Sequence, residues 1–221
     1  MVLDLLVTIC ARSGSKRLIN KNILKINNKT LIEISIEQAL KVVPRESIVF
    51  SSDSDYYLSI AKKYKVNLNK RKKKLSSDSI GKLDVIKDLC KDFNQKFIID
   101  LDVTAPVRDR NDIDGVYKNL INDNKVVFAG CKMESINPYF NMVEIKKDLR
   151  IDTVKKSSIK ISQNSPTVYL LNGIIGWERN YLLSSKKLLG TKNFCIWEME
   201  EHKMFDIDTY FDYKIIKSIL E

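Results

Sequence analysis

The sequence predicts an α/β protein with a mostly parallel sheet and helices on both faces. Three observations carry this expectation. Short β-branched runs alternate with amphipathic stretches of helix length. The first run, residues 5–10, is continuously apolar apart from Thr8, as a strand covered on both faces should be. Polar clusters follow the early strands at 11–16, 51–55 and 102–110, and ligands of such sheets sit beyond the strand C-termini. Right-handed crossovers follow as the default.

The elements are expected in this order. Strand 5–10 leads to a helix over 31–42, where Leu31, Ile32, Ile34, Ile36, Ala39, Leu40 and Val43 supply a broad apolar face. A second strand covers 47–51. Asp53 can then cap a helix over 55–64. A short strand at 66–68, a helix over 80–93 and a strand over 97–101 follow. Asn111 or Asp112 caps a helix that ends at 121, and 126–130 is a further strand. From 134 to 171 the pattern changes. Asn137-Pro138 and the apolar residues Phe140, Met142, Val143, Ile145, Ile151, Ile159 and Ile161 indicate extended, hairpin-like excursions, an inserted arm suited to oligomerisation. The core resumes with a strand over 172–177, a strand over 194–197, a short extended piece at 205–208 and a closing helix over 210–220, capped by Asp208 or Thr209.

The 221 residues fit one large domain, or one domain with a small insertion. The 44% apolar fraction argues against disorder. No apolar run approaches the roughly 18 residues of a membrane span. The N-terminal stretch carries Asp4 and has no basic start, so no signal peptide is expected and the location is cytoplasmic. Cys10, Cys90, Cys131 and Cys195 form no Cys-x-x-Cys pair and are expected as free thiols of a reducing compartment. His202 is the single histidine, which leaves little material for a hydrolase triad or a His-rich metal site. The net charge of +10 admits nucleic acid, an acidic membrane surface or a small polyanion. The basic run 69–74 has few aromatics nearby, so it reads as a solvated loop rather than a base-stacking platform.

Three segments carry chemistry. Residues 11–22 (Ala-Arg-Ser-Gly-Ser-Lys-Arg-Leu-Ile-Asn-Lys-Asn) follow the first strand directly. Small residues let backbone N–H groups approach phosphate oxygens, and Arg12, Lys16 and Lys21 add charge. The loop is neither a Walker P-loop nor a Gly-x-Gly-x-x-Gly turn. In Phe205-Asp206-Ile207-Asp208-Thr209, residues i and i+2 point the same way when extended. Asp206 and Asp208 therefore either converge on one hard cation such as Mg²⁺ or form a solvent-facing acidic edge. Asp100-Leu101-Asp102-Val103-Thr104-Ala105-Pro106-Val107-Arg108 ends a strand in a polar turn that is either a substrate site or an ordinary strand–helix connection.

Taken in order, these segments resemble the acylneuraminate cytidylyltransferases, the CMP-sialic acid synthetase family. Ala11 to Asn22 matches its opening Ala-Arg-x-x-Ser-Lys-x-x-x-x-Lys-Asn. Thr104, Ala105, Pro106 and Arg108 match its later turn, and Leu75 to Asp78, Asn172-Gly173 and Asp206 to Thr209 match further motifs. Asp100-Leu101-Asp102 and residues 137–144 look more like the branch that activates legionaminic acid or related nonulosonates; sialic acid enzymes usually carry Gln where Asp102 stands.

The resemblance implies a Rossmann-like nucleotidyltransferase sheet, with residues 1–133 and 172–221 forming the nucleotide-binding domain and 134–171 a dimerisation arm. It implies condensation of CTP with an acidic nine-carbon sugar, giving the CMP-sugar and pyrophosphate. CTP would lie against Ala11, Arg12, Ser13, Gly14, Ser15, Lys16, Lys21, Asn22, Arg71 and Asp78. Arg12, Lys16 and Lys21 would stabilise developing charge, and Asp206 and Asp208 would hold Mg²⁺. Asp102, Thr104, Tyr169 and Asn172 would lie near the sugar, Asp102 either accepting the hydroxyl proton or binding hydroxyls. Gln163 would reach a partner subunit's site in a homodimer. Neither nucleic acid nor membrane is an expected partner. Arg17, Lys82, Ser162 and Leu171 depart from the family pattern, so a basic group for the sugar carboxylate is not assured. Competing readings are a 3-deoxy-manno-octulosonate cytidylyltransferase, which shares Ser-x-Arg-Leu at 15–18, another sugar nucleotidyltransferase, and a non-catalytic basic module that binds nucleic acid.

Overall fold

The structure, a computed structural model, describes residues 4–77, 80–147, 150–189 and 194–221. Seven strands form the central sheet: β1 (Leu5–Cys10), β4 (Ile48–Ser52), β5 (Asn67–Lys70), β6 (Phe97–Asp102), β7 (Val126–Lys132), β10 (Tyr169–Glu178) and β11 (Phe194–Met199). Their spatial order is β11-β7-β10-β6-β1-β4-β5. The pairs β1–β4, β1–β6, β4–β5 and β7–β11 are parallel. β10 runs antiparallel between β6 and β7. Two small antiparallel pairs lie outside the sheet, β2 (Lys25–Ile26) with β3 (Lys29–Thr30) and β8 (Val143–Ile145) with β9 (Ile151–Thr153).

The helices are α1 (Leu31–Leu40), α2 (Asp55–Lys62), α3 (Lys82–Leu89), α4 (Arg110–Ile121), α5 (Arg179–Ser184) and α6 (Tyr210–Leu220). They bury two separate apolar layers. Leu5, Val7 and Ile9 of β1 pack in one layer with Ile32, Ile60, Val116 and Ile216 from α1, α2, α4 and α6. Leu6 packs in the other with Ile86 of α3 and Leu182 of α5. The side-chain period of two along a strand sends alternate residues to opposite faces, so both faces of β1 are covered.

Several boundaries move. Ser54, not Asp53, caps α2, its hydroxyl accepting from the Tyr57 N–H. Asp109, not Asn111 or Asp112, caps α4, with Asp112 as the reciprocal partner of a capping box. Thr209 caps α6 with Asp212 in the same way. The expected helix over 80–93 is shorter and ends in a 3₁₀ turn. Residues 205–208 form a loop rather than a strand. Among the described residues of 134–168, strand pairing occurs in β8–β9, while β10 already begins at Tyr169 and pairs with β7. Ile136, Phe140, Met142, Val143, Ile145, Ile151, Val154 and Ile161 are exposed there. All four cysteines are free thiols. Among the described residues no helix is long and apolar enough to cross a membrane.

β10 shifts register between Leu171 and Ile175, and Gly173 within the shift has φ +71°. A side chain there would be strained, and its Cβ would lie 3.1 Å from that of Ala105. Glycine thus lets the irregular strand pass close to the turn after β6.

Candidate active site

The parallel register places the ends of β1, β4 and β6 side by side: Cys10 pairs with both Ser51 and Asp102. The loops that follow these strands therefore emerge at one edge of the sheet. This is the geometric reason for a ligand site there.

The loop after β1 is clamped at several points. The Ala11 N–H donates to the Ser51 carbonyl at 3.0 Å. The Ser13 N–H and hydroxyl donate to the two oxygens of Asp53 at 2.8 and 2.9 Å. The buried Asn22 amide donates to the Arg12 carbonyl at 3.0 Å. Asn20, in the left-handed region at φ 57°, turns the chain into the 3₁₀ turn Lys21–Ile23. Asn22 thus shapes the loop from within. Gly14 has open space where a side chain would stand.

This loop forms one wall of a cavity of about 390 Å³, with Arg12, Ser15, Lys16, Arg17 and Lys21 on one side and Asp102, Thr104 and Asp208 on the other. A second cavity of about 250 Å³ shares Cys10 and Arg12 with it and adds Arg71, Leu75, Ser76, Ser77 and Lys82. A third, of about 190 Å³, shares Asp102 and is lined by Phe128, Leu171, Asn172, Ile175, Leu188 and Leu189. Arg71 is buried, with its guanidinium donating to the Ser51 carbonyl and hydroxyl. Asp78 lies outside the described residues.

The acidic loop is held from three directions. The Asn172 amide donates to the carbonyls of Lys203 and Phe205 at 2.8 and 3.2 Å. The buried Lys203 ammonium lies 2.9 Å from both Asp109 and Asp112 at the start of α4. Ile207 is fully buried, and its N–H donates to the Thr104 carbonyl at 2.8 Å. With Ile207 pinned inward and no strand formed, Asp208 lines the cleft, while Asp206 is not among the residues that line it. Asp208 pairs with Lys21 at 2.9 Å and with Arg17 at 2.7 Å. The Asp206 carboxylate accepts from the Thr104 hydroxyl. Although Asp206 keeps an exposed edge, crowding on its inward side raises its pKa, and the charges of Asp102 and Asp208 add to the rise against the pull of Lys21.

Beneath the cleft, Lys82 lies 3.0 Å from the buried Asp100 carboxylate and also pairs with Asp102. Asp100 accepts in addition from the Thr8 hydroxyl at 2.6 Å. Arg108 does not face the cavities. It is buried, donating to the carbonyls of Asp102 and Ala105 and to the Ser35 hydroxyl, and so staples the turn after β6 to α1. Burial lowers its pKa to about 10.

Gln163 sits in an exposed 3₁₀ turn, Ser162–Asn164, and the Tyr169 hydroxyl donates to Glu198 at 2.7 Å. Neither is among the residues lining the three cavities of its own chain. Sequence reasoning missed Asp53 as a loop anchor and the Lys82–Asp100 pair. A carboxylate inside a strand buried on both faces needs a partner, and that was the available signal.

Two hard carboxylates beside a cationic loop suit Mg²⁺, which completes its octahedron with phosphate and water oxygens. Among the described residues no cluster of three His, Cys, Asp or Glu donors is formed. Asp208 is the member of the expected pair that lines the cavity.

A family model described as Cytidylyltransferase matches residues 6–216. The chain belongs to the cytidylyltransferase family. It is 37% identical over 225 residues to CMP-N,N'-diacetyllegionaminic acid synthase of Campylobacter jejuni subsp. jejuni, covering 98% of this chain and 95% of that protein. It is 34% identical over 229 residues to post-translational flagellin modification protein B of Campylobacter coli, covering 99% and 95%. The fold is similar to that of a CMP:2-keto-3-deoxy-manno-octonic acid synthetase solved in complex with CTP, with a TM-score of 0.73, 16% identity and 97% of each chain covered. As a cytidylyltransferase, the chain is a CTP-dependent nucleotidyltransferase, and its cationic loop and acidic pair lie at the sheet edge where the fold class binds ligands.

Proposed function

We propose that this cytidylyltransferase condenses CTP with a nonulosonic acid, of the diacetyllegionaminic type, to give the CMP-sugar and pyrophosphate. The observation that carries this reading is the single cleft in which Arg12, Lys16 and Lys21 face Asp102, Thr104 and Asp208. The likeness to CMP-N,N'-diacetyllegionaminic acid synthase over nearly the full length of both chains supports the substrate class. The apolar cavity beside Asp102 supports it too, because methyl groups of N-acetyl substituents fit Leu171, Leu188 and Phe128 better than hydroxyls do.

In this reading the anomeric hydroxyl oxygen bonds to the α-phosphorus of CTP, the bond to the β-phosphate breaks, and pyrophosphate leaves with the electron pair. Positioning and charge stabilisation account for most of such a transfer. Arg12, Ser15, Lys16 and Lys21 hold the triphosphate, with Ala11, Ser13 and Gly14 offering backbone and open space. Arg71 and Asn22 bound the nucleoside end, and Asp78 is expected there. Asp102, Thr104 and Asn172 border the sugar, and Asp102 is our candidate acceptor for the hydroxyl proton. Asp206 and Asp208 would hold Mg²⁺, which neutralises phosphate charge when bound. Arg17 and Lys21, paired with Asp208 in the free chain, have phosphate oxygens as alternative partners.

The exposed apolar residues of 134–161 support a homodimer through this arm, with Gln163 and Tyr169 serving the partner's cleft. The free thiols and the need for CTP support a cytoplasmic location. The test is pyrophosphate release from CTP and Mg²⁺ with a panel of nonulosonic and octulosonic acids. Turnover of at least one nonulosonic acid is expected. Silence with every member at high enzyme concentration rejects the reading.

A further inference from the structure

We infer that Lys82 is a positioning residue for the reaction, fixing the Asp102 carboxylate that two of the cavities share. The inference rests on the reading of this cleft as the CTP and sugar site.

Lys82 is the first residue of α3, and its side chain runs inward to the floor of the cleft. There its ammonium joins two carboxylates from the same strand, Asp100 and Asp102. The two partners differ in environment. The Asp100 side chain is 1% exposed and that of Asp102 39% exposed. Asp100 is held a second time, by the Thr8 hydroxyl. One end of the network is thereby locked in the core while the other reaches the ligand space. Lys82 touches Asp102 through Oδ1, and Asp102 lines the cavities on either side.

The location matters because Asp102 lines both the phosphate-facing cavity and the apolar one, and Lys82 itself lines the cavity that holds Arg71. A half-buried ammonium beside two carboxylates is strongly favoured: burial opposes its charge, but Asp102 and Asp100 outweigh that and raise its pKa. Lys82 therefore stays charged between the two carboxylates. A carboxylate that orients a sugar hydroxyl must be fixed closely, since a misplacement of about 1 Å costs about 100-fold in rate.

A bland alternative exists: Lys82 only neutralises Asp100 and stabilises the sheet. The double variant Lys82→Met/Asp100→Asn separates the two roles. It removes the buried charges as a pair and keeps a hydrogen-bonding group beside Thr8. It is expected to fold with a Tm near wild type and to bind CTP, measured by calorimetry without sugar, at near wild-type affinity. Its kcat with the best sugar of the panel is expected to fall about 100-fold. Adding Asp102→Asn to it should cost less than threefold more, because the tether that Asp102 needed is already gone. Recovery of wild-type kcat in the double variant, or a full independent loss from Asp102→Asn, overturns the inference. If the methionine protein does not fold, Lys82→Gln/Asp100→Asn is read by the same criteria. A wild-type enzyme inactive with every sugar marks failure of the functional reading instead, since this inference is judged only against a working wild type.

Discussion

The Lys21 ammonium lies 2.9 Å from Asp208 Oδ1, joining residues 187 positions apart. It also donates to the Ile207 carbonyl at 2.8 Å. The contact ties the loop after the first strand to the acidic loop before the last helix and closes the cleft on one side. Asp208→Ala should lower kcat by at least about 100-fold, the scale seen when one group stabilising transition-state charge is removed. The pair is partly exposed, so the Tm should move little. Steady-state kinetics alongside thermal melting check this; full activity in the folded variant removes Asp208 from the reaction.

Asp53 anchors the loop through Ser13 rather than capping α2. Asp53→Ala should therefore leave α2 intact while loosening the loop after β1. Loss of one to two hydrogen bonds corresponds to a KM for CTP raised about tenfold. An unchanged KM, with CTP varied at saturating sugar, contradicts the assigned role.

Lys203 ties the acidic loop to α4. Burial opposes its charge, but hydrogen bonds to Asp109 and Asp112 raise its pKa, and Lys203 in turn lowers that of Asp109 against its own burial. A lowered carboxyl pKa contributes stability above the unfolded value, 3.8, and loses it as pH falls through the folded one. A raised lysine pKa contributes below its unfolded value, 10.5, and loses it as pH rises through the folded one. Lys203→Met leaves Asp112 buried and unpaired and should cost about 3 kcal/mol near pH 7. The gap between wild type and variant should narrow below pH 3.8. Urea unfolding across pH 3 to 7 measures it, and a constant gap contradicts the assignment.

Ile145 and Ile151 face each other across β8 and β9, both exposed. If the arm dimerises, Ile145→Asp/Ile151→Asp should shift light-scattering mass from dimer toward monomer and reduce turnover. A wild-type protein that is monomeric at micromolar concentration contradicts the proposed arm.

Much of the fold was legible because it depends on apolar period. The run 5–10 and the stripe from Leu31 to Leu40 predicted β1 and α1 closely. Caps were less legible, since Ser-Asp-Ser and Asp-Arg-Asn-Asp each offer several acceptors and only backbone geometry chooses among them. That choice freed Asp53 for the loop. The antiparallel course of β10 was invisible, because a buried strand has the same pattern in either direction. In the site, the loop cations and Asp208, which line one cavity, were marked by local order in the sequence. Arg108 was not: the motif marks the residue, but only packing shows that it staples the turn from within. Lys82 was visible only as an oddity until its ion pair with the buried Asp100 gave it a partner.

The central claim concerns the reaction itself, and product analysis addresses it most directly. Purified chain, CTP, Mg²⁺ and N,N'-diacetyllegionaminic acid should yield one pyrophosphate for each CMP-sugar, identified by mass spectrometry. Addition of a chelator should stop both. CTP consumption without a CMP-linked sugar, or no consumption with any nonulosonic acid, contradicts the account.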